Sequence, residues 1–244
     1  MGSNGAAVKD EEPGRAGLWE DFVDIFYAPS SVFARRSDGK FGMPLLFLVL
    51  VGTVLFFLTK NATQPIMDAE FVRQTAAAMR KNPNITAEQM ASSRGFFEML
   101  SPLFFAVGIT LSIIGTGFVV WLVGKLFDAK ESVAAAIMIA TYSEVPRLVQ
   151  VLTNAAQALV MSPEKLNSLN SVGFNLARFM DPDGSQVMIA LASRVDLFTI
   201  WITVLLAIGL HVVGKIPKQQ AAIAAGITWV VGALPALLGA LRAG

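Results

Sequence analysis

The sequence predicts an all-α integral membrane protein, a polytopic chain with five transmembrane helices. Three observations predict it. Charged residues make up 15% of the 244 positions, where a soluble domain carries about 25%. Mean hydropathy is +0.58. And five stretches approach or exceed the roughly 20 apolar residues that a helix needs to cross about 30 Å of hydrocarbon.

The chain opens with polar residues 1–40. Positions 1–16 are charged and Gly-rich and read as disordered. No short apolar run with a cleavage site precedes the first span, so no signal peptide is expected. In Gly17–Tyr27, Leu18, Phe22, Ile25 and Phe26 recur at helical spacing opposite Glu20, Asp21 and Asp24. This predicts an amphipathic helix at the cytoplasmic interface. Its polar face is acidic, which favours packing on the bundle or a partner protein over anionic lipid.

The first span, about 41–60, keeps Pro44 in its first turn, where a missing N–H is harmless. The segment 61–98 outside it predicts two short helices separated by Asn82-Pro83-Asn84, the second opened by the capping box Thr86-Ala-Glu-Gln89. Its two sequons, at Asn61 and Asn84, read as coincidental. The second span is about 99–127, with small residues at Gly108, Gly115, Gly117 and Gly124 that permit close helix approach.

The third span, about 132–161, carries ionisable side chains that cost about 2.5–3.5 kcal/mol each at a helix centre. Glu144 and Arg147 stand at i and i+3, able to neutralise each other, and Pro146 between them predicts a kink or a re-entrant break. Ser143, Glu144, Arg147, Gln150, Asn154 and Gln157 share an arc of roughly 140°. With Tyr142 and Pro146 these form the candidate polar site. It is either a packing seam or a conduit for a small solute or ion.

The outer segment 162–194 turns at Asp181-Pro-Asp-Gly184. The fourth span is about 195–213, with Asp196 as its N-terminal acid. The fifth, about 219–241, repeats small residues at Gly232, Ala236 and Ala240. Lys and Arg near the span ends place the N-terminus in the cytoplasm, and an odd number of spans then places the C-terminus outside.

Chemistry is sparse. The chain has one His and no Cys, and it lacks the nucleophile-elbow, P-loop, zinc-protease and dinucleotide motifs. No enzyme activity, metal or other cofactor is expected, and His211 reads as a bystander. A net charge of +1 offers no field for nucleic acid.

Three stretches resemble the Yip (Ypt/Rab-interacting protein) family in its bacterial form. They are Phe22–Phe33 with Pro29, Gly124 through Tyr142-Ser-Glu-Val-Pro146, and Asp196–Trp201 with Gly209-Leu210. The resemblance implies five membrane helices, a cytoplasmic N-terminus and a bacterial inner membrane, with Pro29, Asp196 and Trp201 as family-motif positions. Eukaryotic relatives bind Rab GTPases. Their Asp-Leu-Tyr-Gly-Pro stretch is absent here and their Gly-Tyr pair is Thr141-Tyr142, which argues against Rab binding. The expected role is a membrane-organising scaffold working through the lipid bilayer and a membrane-protein partner or a second copy of the chain.

Overall fold

The computed structural model describes residues 17–82 and 84–243. Residues 1–16, which the sequence reads as disordered, and Pro83 lie outside them. Among the described residues every regular element is helical. Two short helices, α1 (Leu18–Asp24) and α2 (Pro29–Arg35), precede the long pair α3 (Gly42–Lys81) and α4 (Ala87–Lys125). Then follow α5 (Val133–Ser143), α6 (Pro146–Val160), α7 (Gln186–Arg194), α8 (Leu197–Gly214), α9 (Lys218–Val231) and α10 (Leu234–Ala243).

Four segments are long and apolar enough to cross a membrane: α3, α4, α8 and the stretch Lys218–Arg242. Outward faces of α3 and α4 expose Leu50, Val54, Phe57, Leu103, Val107 and Leu111, as a lipid-facing surface requires. The count of five rests on the third predicted span, which consists of two helices. Ser132 caps α5 by accepting from Ala135 N–H at 3.1 Å, and α6 runs to Val160. Between them Glu144 (φ −81°, ψ −7°) and Val145 (φ −54°, ψ −40°) keep helical dihedrals, so the two helices join through a bend. Pro146 has no N–H for the Tyr142 carbonyl, which instead accepts from Val145 N–H at 3.3 Å.

The segment 61–98 corrects the sequence reading. The two helices flanking Asn82 are not short separate pieces. They are the far ends of α3 and α4, each about 60 Å long at 1.5 Å per residue, twice the thickness of a hydrocarbon core. Phe56 stacks on Phe105 with centroids 5.2 Å apart, and beyond them Arg94 pairs with Asp68 and lies 4.7 Å over the Phe71 ring. The Thr86 capping box forms: Thr86 Oγ1 accepts from Gln89 N–H at 3.2 Å and Gln89 Oε1 from Thr86 N–H at 3.0 Å. Arg73 ties this hairpin to the outer segment through Asp183 (2.9 Å) and the Asn167 carbonyl (2.9 Å).

The fifth predicted span also bends. At Gly232-Ala233 α9 gives way to α10, whose second residue is Pro235, so the Gly232–Ala236–Ala240 repeat does not form one continuous face.

The core centres on α5, in which every residue from Ala135 to Ser143 is buried. A helix apolar all round belongs in such a place. Its neighbours reach it through glycines. A Cβ at Gly117 of α4 would lie 2.5 Å from the Cα of Ile137, and one at Gly209 of α8 would lie 2.4 Å from Ile139 Cγ2. Only small residues allow backbones this close.

Candidate functional site

Two polar constellations stand against this apolar core. The first joins α1 and α2 to the bundle. Asp21, which the helical wheel assigns to an outward acidic face, is fully buried. Arg35 at the end of α2 donates to its Oδ1 from Nε (3.1 Å) and Nη2 (2.8 Å), and Arg36 Nε donates to Oδ2 at 2.5 Å. Tyr142 Oη of α5 donates to the same Oδ2 at 3.4 Å. Two basic side chains follow naturally at a helix C-terminus, where the dipole favours them. Here they cover the acid of a helix that begins only 17 residues before Arg35. Arg35 Nη2 also reaches Asp24 Oδ2 at 2.5 Å, and Tyr27 Oη donates to Asp24 Oδ1. That tyrosine hydrogen bond, and then Arg35, hold the Asp24 carboxyl below its ordinary pKa.

Aromatic contacts complete the attachment. Phe22 packs edge-on against Phe47 of α3 (4.7 Å) and near Tyr142 (5.7 Å), while Phe26 meets Trp201 of α8 edge-on at 5.4 Å. Phe47 lies five residues past the start of α3, Trp201 four past the start of α8, and Tyr142 one residue before the end of α5, so α1 and α2 pack across three helices of the bundle. Pro29 starts α2 at its first turn, where its fixed φ suits a helix. Trp19, Val23 and Tyr27 face outward from this cap.

The second constellation is the predicted stripe. Arg147 Nε donates to Glu144 Oε2 at 2.8 Å, and Arg147 Nη1 to Gln150 Oε1 at 3.0 Å. Gln150 Nε2 then donates to Asp196 Oδ1 at 3.2 Å. Asp196 Oδ1 caps α8 by accepting from Thr199 N–H (2.9 Å) and Thr199 Oγ1 (3.2 Å). A chain of five side chains thus fastens α6 to α8. Further along, Gln157 Oε1 accepts from Gly173 N–H and Arg178 Nη1, both at 3.2 Å, holding the outer segment to α6. Asn154 stands beside Gly173. Ser143 is buried with no hydrogen-bond partner for its hydroxyl, and Asn154 Oδ1, Asp196 Oδ2 and Arg194 Nε are likewise unpartnered. Arg194 spends Nη2 on the Trp229 carbonyl (2.8 Å), and its guanidinium lies 5.5 Å from the Trp229 ring centre.

The sequence reading includes Glu144, Arg147, Gln150 and Asp196, which the structure joins, but not Asp21 with its arginines, Arg178 or Arg194 as site residues. It also passes over Glu131, between α4 and α5. Glu131 is buried, and neither carboxylate oxygen has a partner. Its head fills the slot between two helix ends: a Cβ at Gly124 would lie 2.2 Å from Oε1, and one at Gly214 2.8 Å from Oε2. Lys125 Nζ, the nearest cation, donates to the carbonyls of Ala129 (2.7 Å) and Glu131 (3.0 Å). Burial without a counter-ion pushes the Glu131 carboxyl above its ordinary value. An acid whose folded pKa is raised stabilises the fold fully below its unfolded value and loses that contribution as pH rises through the folded one. Thermal unfolding in detergent should therefore show wild-type stability falling from about pH 4.5 upward. Glu131→Gln should remove this slope and exceed wild type at pH 8.

A family model, the Yip1 domain, matches residues 23–239. The chain belongs to the Yip1 domain family. No curated protein and no solved structure matches it. It is a Yip1 family membrane protein with several apolar helices. The Yip1 match takes in the whole stripe, with Pro29, Tyr142, Asp196 and Trp201, and both arginines of the cap. Asp21, which they clamp, lies two residues before it. The Yip1 domain of this chain is thus closed on one flank by an ion pair that reaches just outside the matched region.

Proposed function

We propose that this chain is a non-enzymatic scaffold of a bacterial inner membrane. In this reading it crosses the bilayer five times with its N-terminus in the cytoplasm and its C-terminus outside, and it organises the membrane by holding a protein partner or a second copy of itself. The observation that carries the reading is the spending of the stripe on the protein itself. Glu144, Arg147, Gln150 and Asp196 each bond to the next, which serves packing of α6 on α8. The unbroken helical dihedrals at Glu144 and Val145 support counting α5 and α6 as one crossing. They span 28 residues from Val133 to Val160, about 42 Å of helix.

The cap supplies the working surface. α1 is fixed rigidly by Asp21 and the aromatic contacts beneath it, while Trp19 and Tyr27, 67% and 71% exposed, project away. Rigid aromatics are the residues that dominate protein contacts. A photo-crosslinking residue at Trp19 or Tyr27 in cells should capture one protein band or a dimer of the chain, while one at the buried Ile25 should capture neither. Equal patterns at all three positions would contradict the reading.

A further inference from the structure

One end of the bundle holds a cavity apart from the stripe and walled on one side by Ala34 of α2. It measures about 490 Å³ and is lined by Ser37, Lys130, Glu131, Ser132, Val213 and Lys215, among others. This is the end at which α4 and α8 finish and α5 and α9 begin, marked by Lys125, Lys130, Lys215 and Lys218. Lys130 and Lys215 have no carboxylate within salt-bridge distance among the described residues. The backbone brings them together: Lys130 N–H donates to the Gly214 carbonyl at 2.9 Å, and Lys215 adopts a left-handed conformation (φ 56°) directly after it. Ser132 sets the N-terminus of the 11-residue α5 at the cavity wall, adding the positive end of a helix dipole.

Glu131 bounds the same cavity. It is 97% buried by its 3% exposure, its oxygens are unpartnered, and it forms part of the same wall. Its oxygens are packed against the Gly124 and Gly214 ends of α4 and α8, and the two lysines supply the charge at the cavity. Apolar Val213 of α8, itself buried, forms the inner wall behind the lysines.

We infer that this cavity binds the phosphodiester headgroup of an anionic phospholipid, with Lys130 and Lys215 as its cationic ligands and Ser37 and Ser132 as hydroxyl donors. Basic pockets between transmembrane helices bind lipid headgroups in this way. The inference rests on the lysine-bearing end lying at a membrane surface. It does not depend on the scaffold reading.

The test is thermal stability and native mass spectrometry of the full chain in detergent with phosphatidylglycerol, phosphatidylcholine or inorganic phosphate added. Phosphatidylglycerol should bind and stabilise selectively. Lys130→Gln and Lys215→Asn, the latter chosen because Asn tolerates the left-handed backbone, should each weaken binding about five-fold and together about 25-fold. Lys218→Gln, outside the cavity lining, should leave it unchanged. Glu131→Gln should bind at least as tightly as wild type. Equal binding of phosphatidylcholine, or lysine variants that bind as wild type, would overturn the inference. So would inorganic phosphate matching the lipid, which would make this a free-phosphate site. Loss of binding in Glu131→Gln alone would instead indicate an amine headgroup on the acid and would equally overturn it.

Discussion

Asp21→Ala is expected to open the N-terminal cap and to cost about 2–4 kcal/mol. Removing one member of a buried ion pair costs about 3–5 kcal/mol because the opposite charge stays behind. The arginine side chains are 33% and 25% exposed, so water relieves part of that penalty here. Arg35 also keeps Asp24 as a partner. Limited proteolysis in detergent should show new cleavage between Ile25 and Lys40, and the unfolding midpoint should fall. Tyr142→Phe is the contrasting case. Its hydrogen bond to Asp21 is long at 3.4 Å, so losing the hydroxyl should cost about 1 kcal/mol or less and leave the cap closed.

Gly117→Ala should be the most damaging single methyl in the bundle. The new Cβ would stand 2.5 Å from Ile137 Cα and 2.9 Å from its backbone nitrogen. Backbone atoms cannot rotate aside, so α4 and α5 must part along a buried contact. Overpacking of this kind costs about 1–3 kcal/mol and more when backbones shift. Gly108 and Gly115 belong to the same sequence pattern, yet a Cβ at either meets nothing within 4 Å. Alanine there should be neutral or should stabilise the helix by up to about 1 kcal/mol, since glycine is the poorer helix former. Unfolding midpoints of the three variants, measured side by side, check the contrast.

That contrast shows where sequence reasoning stops. Glycines seven apart announce close approach somewhere on a helix but not which of them touches a neighbour. The same limit applies to charge. Glu144 and Arg147 are legible as a pair because both lie on one helix, three residues apart. Gln150 and Asp196 are separated by 46 residues, and nothing in either local sequence announces the bond. Asp21 looked solvent-facing because α1 was read as an isolated wheel, whereas its polar side is covered by Arg35 and Arg36 of the next element. Apolar runs mark the four segments long and apolar enough to cross a membrane, since the hydrocarbon thickness sets a minimum length. They could not show that α3 and α4 continue some 20 residues and 12 residues past the apolar stretch, because the continuation contains helix formers and its Pro65 does not end α3. The bend at Pro146 was legible from one residue, but whether it turned the chain back depended on the dihedrals of Glu144 and Val145.

The most direct test of the scaffold account uses the absence of native cysteine. Single cysteines at Glu144, Gln150 and Asn154, with others at Trp19 and Tyr27, would be exposed in intact membranes to a small water-borne thiol reagent from each side. The account predicts that the three stripe positions stay unlabelled while Trp19 and Tyr27 label, because Glu144 and Gln150 are spent on the bonds that join α6 to α8 and Asn154 is packed beside Gly173. Labelling of Gln150 and Asn154 at rates near those of Trp19 would mean a wet path through the bundle, and the scaffold reading would give way to a conduit.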